Sequence, residues 1–525
     1  MASAFTSAHS SSLMSSAPIK FIQDGMYHVP KKLITKKNSV AIKQELTIEK
    51  KQMYTTTQTF VTLWKEQGKY LILPKAYGIG KYGNPDLVND MPIARLIQDR
   101  SSRQRININF TSTPELALKP YQLAIINKVI AQFNNDLIYN GGLIIAGCGK
   151  GKTVMIIYLI CVFKCKVLLV SHKKYLNNQF INRLETFSDF TGKVGRIQQG
   201  KFELDCDITV ATIQSILSKC TVGHLERFDF IICDEVHHYA SEEFGKLFKM
   251  VVPHRFIGIT ANTERKDNLF DIIKHNLGPI IHQEPDNLTD VDVYVKRLLY
   301  RTQDSEAMAT LYTMINRKPE VNRSGMVTAL ATIEKRTSFI CDLLIQLKNS
   351  GRFILCLSNR LKHVDIIYDT ITSTIGADYI GKYIGGMAQP DLDLSATKPI
   401  IVGTFDMAEE GLDIPQLDTL VMATPKSTIK QPVGRILRRT TYALPPLILD
   451  IVDVCNENYV TQSFIRYEYL ASRAYHISNY TIDESNTDPD ANANVMQSII
   501  HEYNKTSVRM IDPSVCQDEV CFGDD

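Results

Sequence analysis

No two of the eleven cysteines stand in a CxxC pair in this 525-residue chain. A zinc site and a disulfide framework are therefore not expected, and several thiols inside apolar stretches (Cys161, Cys165, Cys233, Cys356) read as reduced and buried. No apolar run reaches the ~18 residues of a membrane span. The longest, Val154–Phe163, is broken by Lys164 and Lys166, so a soluble protein without a membrane partner is expected. The first sixteen residues lack the apolar core of a secretory signal. No internal repeat is visible. Neither charge sign dominates, since 59 basic against 56 acidic residues give +3. A hydrophobic share of 44% with 22% charged excludes a wholly disordered or collagen-like chain.

The charge that exists is unevenly placed. Residues 1–51 hold eight lysines and three acids, whereas residues 481–525 hold two bases and ten acids. The body between is mildly basic, which suits a polyanionic partner.

Residues 1–19 read as disordered and residues 20–113 as a small strand-rich accessory domain, with strand-like stretches in Tyr70–Gly83 and Ile106–Phe110. From Leu116 the pattern changes. Tyr121–Phe133 has helical apolar spacing. Short apolar runs then alternate with helical segments: Leu143–Ala146, Val167–Ser171, Ile208–Ala211, Phe230–Cys233 and Phe256–Ile259. A second series follows at Phe353–Leu357, Ile400–Val402, Leu420–Met422 and Leu447–Ile451. Such runs are strands of parallel sheets covered on both faces. The expected class is α/β: lobe one over 114–284, lobe two over 285–456, joined by a polar linker at Glu284–Tyr294. Over 457–525 the reading is a helix, Thr461–Ser478, followed by a polar acidic tail.

AGCGKGKT, Ala146–Thr153, follows an apolar strand and precedes a helical stretch. That is the context of a phosphate-binding loop. Gly147, Gly149 and Gly151 let the backbone of Ala146, Gly147, Cys148, Gly149, Lys150 and Gly151 curl its N–H groups onto phosphate oxygens. Lys152 can reach the β- and γ-phosphates, and the Thr153 hydroxyl can ligate Mg²⁺. About 80 residues on, Asp234–Glu235–Val236–His237 follows another strand-like run. A carboxylate there faces the ligand crevice, so Asp234 can hold Mg²⁺ and Glu235 can orient water. ATP and Mg²⁺ are the expected cofactors.

In the second half, GTFDMAEEGLDIP (Gly403–Pro415) precedes QPVGRILRR (Gln431–Arg439). With these the chain, from about Leu118 to Asp453, resembles a superfamily 2 DExH helicase. Within that group it is similar to the transcription-and-repair helicases of the general-transcription-factor type, and to the transcript-release DNA helicases of large cytoplasmic DNA viruses. LKPYQ (Leu118–Gln122) resembles the adenine-reading motif, with Gln122 in the recognising place. SHKKYLNNQF (Ser171–Phe180), ATIQS (Ala211–Ser215), ITAN (Ile259–Asn262) and LSNR (Leu357–Arg360) resemble further motifs of the group.

The resemblance implies two RecA-like lobes and a 3′→5′ motor serving transcription. Arg435 and Arg438, three apart, are expected on one helical face, where guanidinium groups stabilise γ-phosphate charge worth ~10³–10⁵ in rate. Gln431 faces the nucleotide, and Gly411 with Asp413 links nucleotide state to grip. A motor that ignores sequence grips phosphates, with Lys173, Thr212, Arg360 and Thr404 the candidates. DNA is the preferred partner, with transcription machinery beside it and host cytoplasm or virion as the setting. An RNA helicase, a duplex translocase and a degenerate scaffold are the alternatives.

Overall fold

The computed structural model describes residues 18–50, 59–111, 113, 117–134, 137–147, 149–198, 200–241, 243–261, 269–284, 291–315, 318–410, 412, 414–439, 441–485 and 489–501. The chain divides into two compact units, Met1–Glu284 and Pro285–Asp525. The expected disordered start and most of the acidic tail lie outside the described residues.

In the first unit seven parallel strands form one sheet: β1 Asn140–Ile145, β2 Val167–Ser171, β3 Val194–Gln198, β4 Ile208–Thr212, β5 Phe230–Cys233, β6 Arg255–Thr260 and β7 Ile280–Gln283. Their spatial order is β3-β4-β2-β5-β6-β1-β7, with the short strand Lys201–Phe202 added antiparallel at the β3 edge. Alternate residues serve opposite faces, as a pleated strand requires. Ile144, Leu169 and Ile232 pack under the helices Pro120–Phe133 and Lys152–Phe163. Leu143, Leu168 and Ile231 pack on the other side.

That other side is where the N-terminal module sits. It is a six-stranded sheet ordered Lys65–Gln67, Tyr70–Pro74, Met26–Pro30, Phe21–Gln23, Leu87–Val88 and Met91–Pro92. Ile22, Tyr27, Val29 and Leu71 belong to the same hydrophobic cluster as Leu143, Phe248 and Phe256. The module therefore shares its core with the parallel sheet. Lys75 fastens the two: it has 0% exposure, donates to the Phe248 carbonyl, and lies 5.5 Å from the Tyr139 ring centroid and 5.6 Å from that of Phe256. Ile106–Phe110, expected in the accessory sheet, instead follows lobe one. Ile106 and Ile108 are buried with Val129 and Met155, and Phe110 bridges to Ser188.

The second unit repeats the plan. Its strands are β8 Tyr294–Arg301, β9 Ile354–Ser358, β10 Ile380–Tyr383, β11 Ile400–Thr404, β12 Thr419–Met422, β13 Leu447–Asp453 and β14 His476–Asp483. The order is β10-β11-β9-β12-β13-β8-β14, again all parallel. Each label is seven above its counterpart in lobe one, so the two sheets have one topology.

The C-terminal expectation needs correcting. The helix runs Glu457–Ser472, and Ala474 at φ 54 turns the chain into β14. The polar stretch then enters a helix, Pro489–His501, whose Met496, Ile499 and Ile500 are buried in the lobe-two core. Polar flanks concealed that apolar face. Among the described residues no helix is long and apolar enough to cross a membrane.

Candidate nucleotide site

The site grows from the C-terminal edge of the lobe-one sheet. β1 ends at Ile145, and the loop reaches the helix Lys152–Phe163 through Gly149 at φ 77 and Gly151 at φ 73. Side chains rarely adopt that left-handed backbone, so glycine is required at both. Gly151 also lies against Gln122, since a Cβ there would stand 2.2 Å from its Nε2. Lys152 begins the helix and turns its ammonium back over the loop, donating to Ala146 O at 3.2 Å. Its Nζ is 3.9 Å from Glu235 Oε1. The motifs read separately from the sequence thus meet. Cys148 lies outside the described residues.

Thr153 and Asp234 line one small pocket with Ile156, Leu169, Leu176, Gln179 and Phe180. Burial in this apolar surround, then the neighbouring Glu235 charge, pushes the Asp234 carboxyl up to about 6. Lys152 and the Glu235 N–H, 3.0 Å from Asp234 Oδ1, work in the opposite direction. A hydroxyl and a poorly solvated carboxylate facing one pocket are a donor set that a hard divalent cation fits. Glu235 itself has φ 45, a strained conformation for a side-chain-bearing residue. Its Oε2 stands 3.4 Å from His237 Nδ1. His237 Nδ1 in turn pairs with Thr260 Oγ1 at 2.8 Å, which ties the end of β5 to the end of β6. The His238 ring lies tilted against His172 at 4.0 Å and against His237 at 4.1 Å between centroids.

Gln122 is buried at the start of the helix Pro120–Phe133. Its Oε1 accepts from the Lys119 N–H at 2.9 Å and its Nε2 donates to Lys150 O at 3.0 Å. The Tyr121 hydroxyl donates to the same carbonyl at 3.2 Å. Sequence reasoning missed the loop's other partner, Glu284. It accepts from the Gly147 N–H at 2.8 Å and pairs with Lys150 Nζ at 2.7 Å. Only the topology reveals it, because β7 lies beside β1 although 137 residues separate Glu284 from Gly147.

The other candidates fall at matching places in the two sheets. In lobe one Ser171 is register partner to Thr212, and Lys173 caps the helix Lys174–Phe187. In lobe two Ser358 is register partner to Thr404, and Arg360 caps the helix Leu361–Ile375. The Arg360 guanidinium folds back, donating to Thr328 Oγ1 at 2.8 Å, Ser324 Oγ at 2.9 Å and Asn359 O at 2.8 Å.

The arginine pair departs from the helical-face expectation. The helix is Lys430–Ile436, so Gln431 and Arg435 lie on it and Arg438 lies beyond its end. Both arginines converge on the Leu412 carbonyl, Arg435 Nη1 at 3.0 Å and Arg438 Nη2 at 2.5 Å, while Arg435 Nε donates to Ala408 O at 2.6 Å. They brace the segment of the preceding motif. Gly411 and Asp413 of that motif, and Asn262, lie outside the described residues.

Comparison with known proteins agrees with this chemistry. The family described as type III restriction enzyme, res subunit, matches residues 115–265. An Acanthamoeba polyphaga mimivirus protein described as "Putative ATP-dependent RNA helicase L396" is 36% identical over 470 residues, covering 87% of this chain and 86% of its own. The transcript termination protein A18 of Yaba monkey tumor virus (strain VR587) is 23% identical, covering 61% of this chain and 70% of its own. The protein described as "DNA 3'-5' translocase XPB2" of Sulfurisphaera tokodaii is 29% identical over a shorter stretch, 27% of this chain and 32% of its own. With a phosphate loop, paired acids and a relative of this extent, the chain belongs to the superfamily 2 helicases, which hydrolyse ATP and act on nucleic acid.

Proposed function

We propose that the protein is an ATP- and Mg²⁺-dependent 3′→5′ DNA helicase that serves viral transcription, by releasing transcripts, in the host cytoplasm or virion. The observation that carries this reading is the meeting of Lys152, Thr153, Asp234 and Glu235 at one sheet edge, with Lys152 Nζ 3.9 Å from Glu235 Oε1. The names of the A18 and XPB2 relatives support the transcriptional setting, DNA and the polarity.

In this reading the loop amides and Lys152 hold the β- and γ-phosphates, and Gln122 reads adenine. Thr153 and Asp234 would hold Mg²⁺, which would neutralise phosphate charge. Glu235 orients the attacking water and takes its proton. Arg435 and Arg438 stabilise the transition state, a role in which they exchange the Leu412 carbonyl for phosphate oxygens. Gln431 faces the nucleotide, and Gly411 with Asp413 couples its state to grip. Lys173 and Thr212, Arg360 and Thr404 hold two stretches of strand backbone at equivalent sheet edges. Alternating affinity between the two grips gives directed movement.

The second reading is an RNA helicase, which the name of the mimivirus relative favours. One experiment separates the two: ATP hydrolysis with no nucleic acid, with single-stranded DNA and with matched RNA. Stimulation by DNA that Lys152→Ala and Glu235→Gln abolish supports the proposal. Stimulation by RNA alone moves the assignment to the second reading. Equal hydrolysis by Lys152→Ala removes both.

A further inference from the structure

A phosphate-binding loop presents N–H groups and an ammonium to an anion. Here an anion of the chain's own is already seated there. The Glu284 carboxylate takes the Gly147 N–H on Oε2 at 2.8 Å and Lys150 Nζ on Oε1 at 2.7 Å. The approach depends on glycine, because a Cβ on Gly147 would stand 3.2 Å from Glu284 Oε2. The position is fixed from behind. Gln283 pairs with Ile145 in the β7–β1 ladder, and the Glu284 N–H donates to Ile145 O at 2.8 Å. Lys150 is held in turn, its Nζ lying 5.5 Å from the Tyr121 ring centroid and its carbonyl taking Gln122 Nε2.

We propose that Glu284 is an affinity-setting residue of the nucleotide site. Its carboxylate occupies part of the phosphate cradle, and nucleotide phosphate must displace it. Both anions want the same donors, and their charges repel at this range. Glu284 thus weakens every ligand that carries phosphate here and leaves ligands without phosphate alone. It also keeps the empty loop in shape, so nucleotide finds a formed cradle. The inference rests on the phosphate-loop reading given above.

The test uses the full-length protein and three ligands: ADP, inorganic pyrophosphate and adenosine. Binding is measured by calorimetry for the wild type, Glu284→Gln, Glu284→Asp and Lys152→Ala. Glutamine keeps the shape and can still accept from Gly147, so it removes only the charge. ADP and pyrophosphate are expected to bind Glu284→Gln about tenfold more tightly, a change of about 1.4 kcal/mol. Adenosine affinity stays level, and Glu284→Asp falls between, because one methylene less cannot span both donors.

The melting temperature of the nucleotide-free protein is expected to fall in Glu284→Gln even as ADP binding tightens. Equal or weaker ADP binding by Glu284→Gln overturns the proposal, and so does an equal gain for adenosine. In both cases ADP binding that Lys152→Ala abolishes leaves the phosphate loop standing. ADP binding indifferent to Lys152→Ala removes the loop reading and this inference together.

Discussion

The two parallel sheets share one strand order but keep their charges in different places. The register aligns them residue by residue. In lobe one Cys233 of β5 pairs with Gly258 of β6, which pairs with Leu143 of β1. In lobe two Met422 of β12 pairs with Asp450 of β13, which pairs with Arg297 of β8. A leucine lying over a glycine in one lobe is an arginine paired with an aspartate in the other. Asp450 takes Arg466 Nε at 2.7 Å and Arg297 Nε at 3.3 Å, and all three are buried. Three residues on, Asp453 receives Arg336 in a two-point bond at 2.6 and 2.9 Å, and Arg336 also reaches Ala423 O at 2.8 Å. Lobe one keeps acids at both ends of β5: Asp234 and Glu235 after it, and Asp229 before it, buried and paired with Arg103 at 2.6 Å. Lobe two spends them inside, bracing strand ends against arginines. The fold accepts either plan. At the compared register positions lobe one is apolar, whereas lobe two holds buried, paired charges.

The largest test of this difference is Asp450→Ala. It leaves Arg297 and Arg466 buried without their carboxylate. Removing one partner of a buried pair costs about 3–5 kcal/mol, so lobe two is expected to unfold first in urea, with a transition not seen in the wild type. A loss under about 1 kcal/mol would mean that the interior charges are not structural.

The counterpart in lobe one is steric. A Cβ at Gly258 would meet Leu143 Cδ2 at 2.8 Å, Leu277 Cδ1 at 2.9 Å and Val236 Cγ1 at 3.1 Å. Gly258→Ala is expected to cost about 1–3 kcal/mol by overpacking. The same change made together with Leu143→Ala should cost less than the sum of the two single changes, because the contact is shared.

The N-terminal module packed on lobe one buries a cation too, held by a carbonyl and aromatic rings in place of an acid. Lys75 has the Phe248 carbonyl and three aromatic rings, and burial lowers its ammonium from 10.5 to about 7. Between about 7 and 10.5 the unfolded chain therefore binds more protons than the folded one. Stability rises with pH across that window, and the full penalty stands below it. Lys75→Met removes this dependence. Its stability advantage over the wild type is expected to shrink as pH rises from 7.5 to 9.5, by at most about 1.4 kcal/mol per unit. A pH-independent difference would show that the rings and the carbonyl fully compensate burial.

Features set by local physics were legible in the chain. Strands buried on both faces are apolar runs, and Val167–Ser171 and Phe230–Cys233 were found to the residue. Gly149 and Gly151 announce left-handed turns, and GKT after a strand has one common use. What failed were long-range pairings and concealed faces. Ile106–Phe110 looks like any strand until Lys164 and Asp189 supply its partners. Glu284 reads as a polar linker residue until β7 is laid beside β1. The spacing of Arg435 and Arg438 suits a helix, yet that helix ends at Ile436. Lys75 sits among ordinary lysines, and nothing nearby in sequence says that it is buried. Which lobe-one motifs lie together was therefore readable, and their internal bracing was not.

The smallest expected effect sharpens the comparison most. Thr260 of β6 corresponds in register to Val452 of β13, since Thr260 lies two residues past Gly258 and Val452 two past Asp450. Thr260→Val thus places lobe two's residue in lobe one, with nearly the same shape. It removes the bonds of the hydroxyl, among them that between His237 Nδ1 and Thr260 Oγ1 at 2.8 Å. A neutral hydrogen bond contributes about 0.5–1.5 kcal/mol, so the melting temperature should fall only slightly. The functional consequence differs in kind. That bond links the Asp234–His237 segment to the motif at Ile259–Ala261, and the proposed motor needs the two strand ends to respond together. Hydrolysis without nucleic acid is expected to stay within about twofold, a barrier change of ~0.4 kcal/mol. The stimulation by nucleic acid is expected to fall by more than that. Equal stimulation in Thr260→Val would mean that coupling does not run through this pair, and that β5 and β6 are joined there for stability alone.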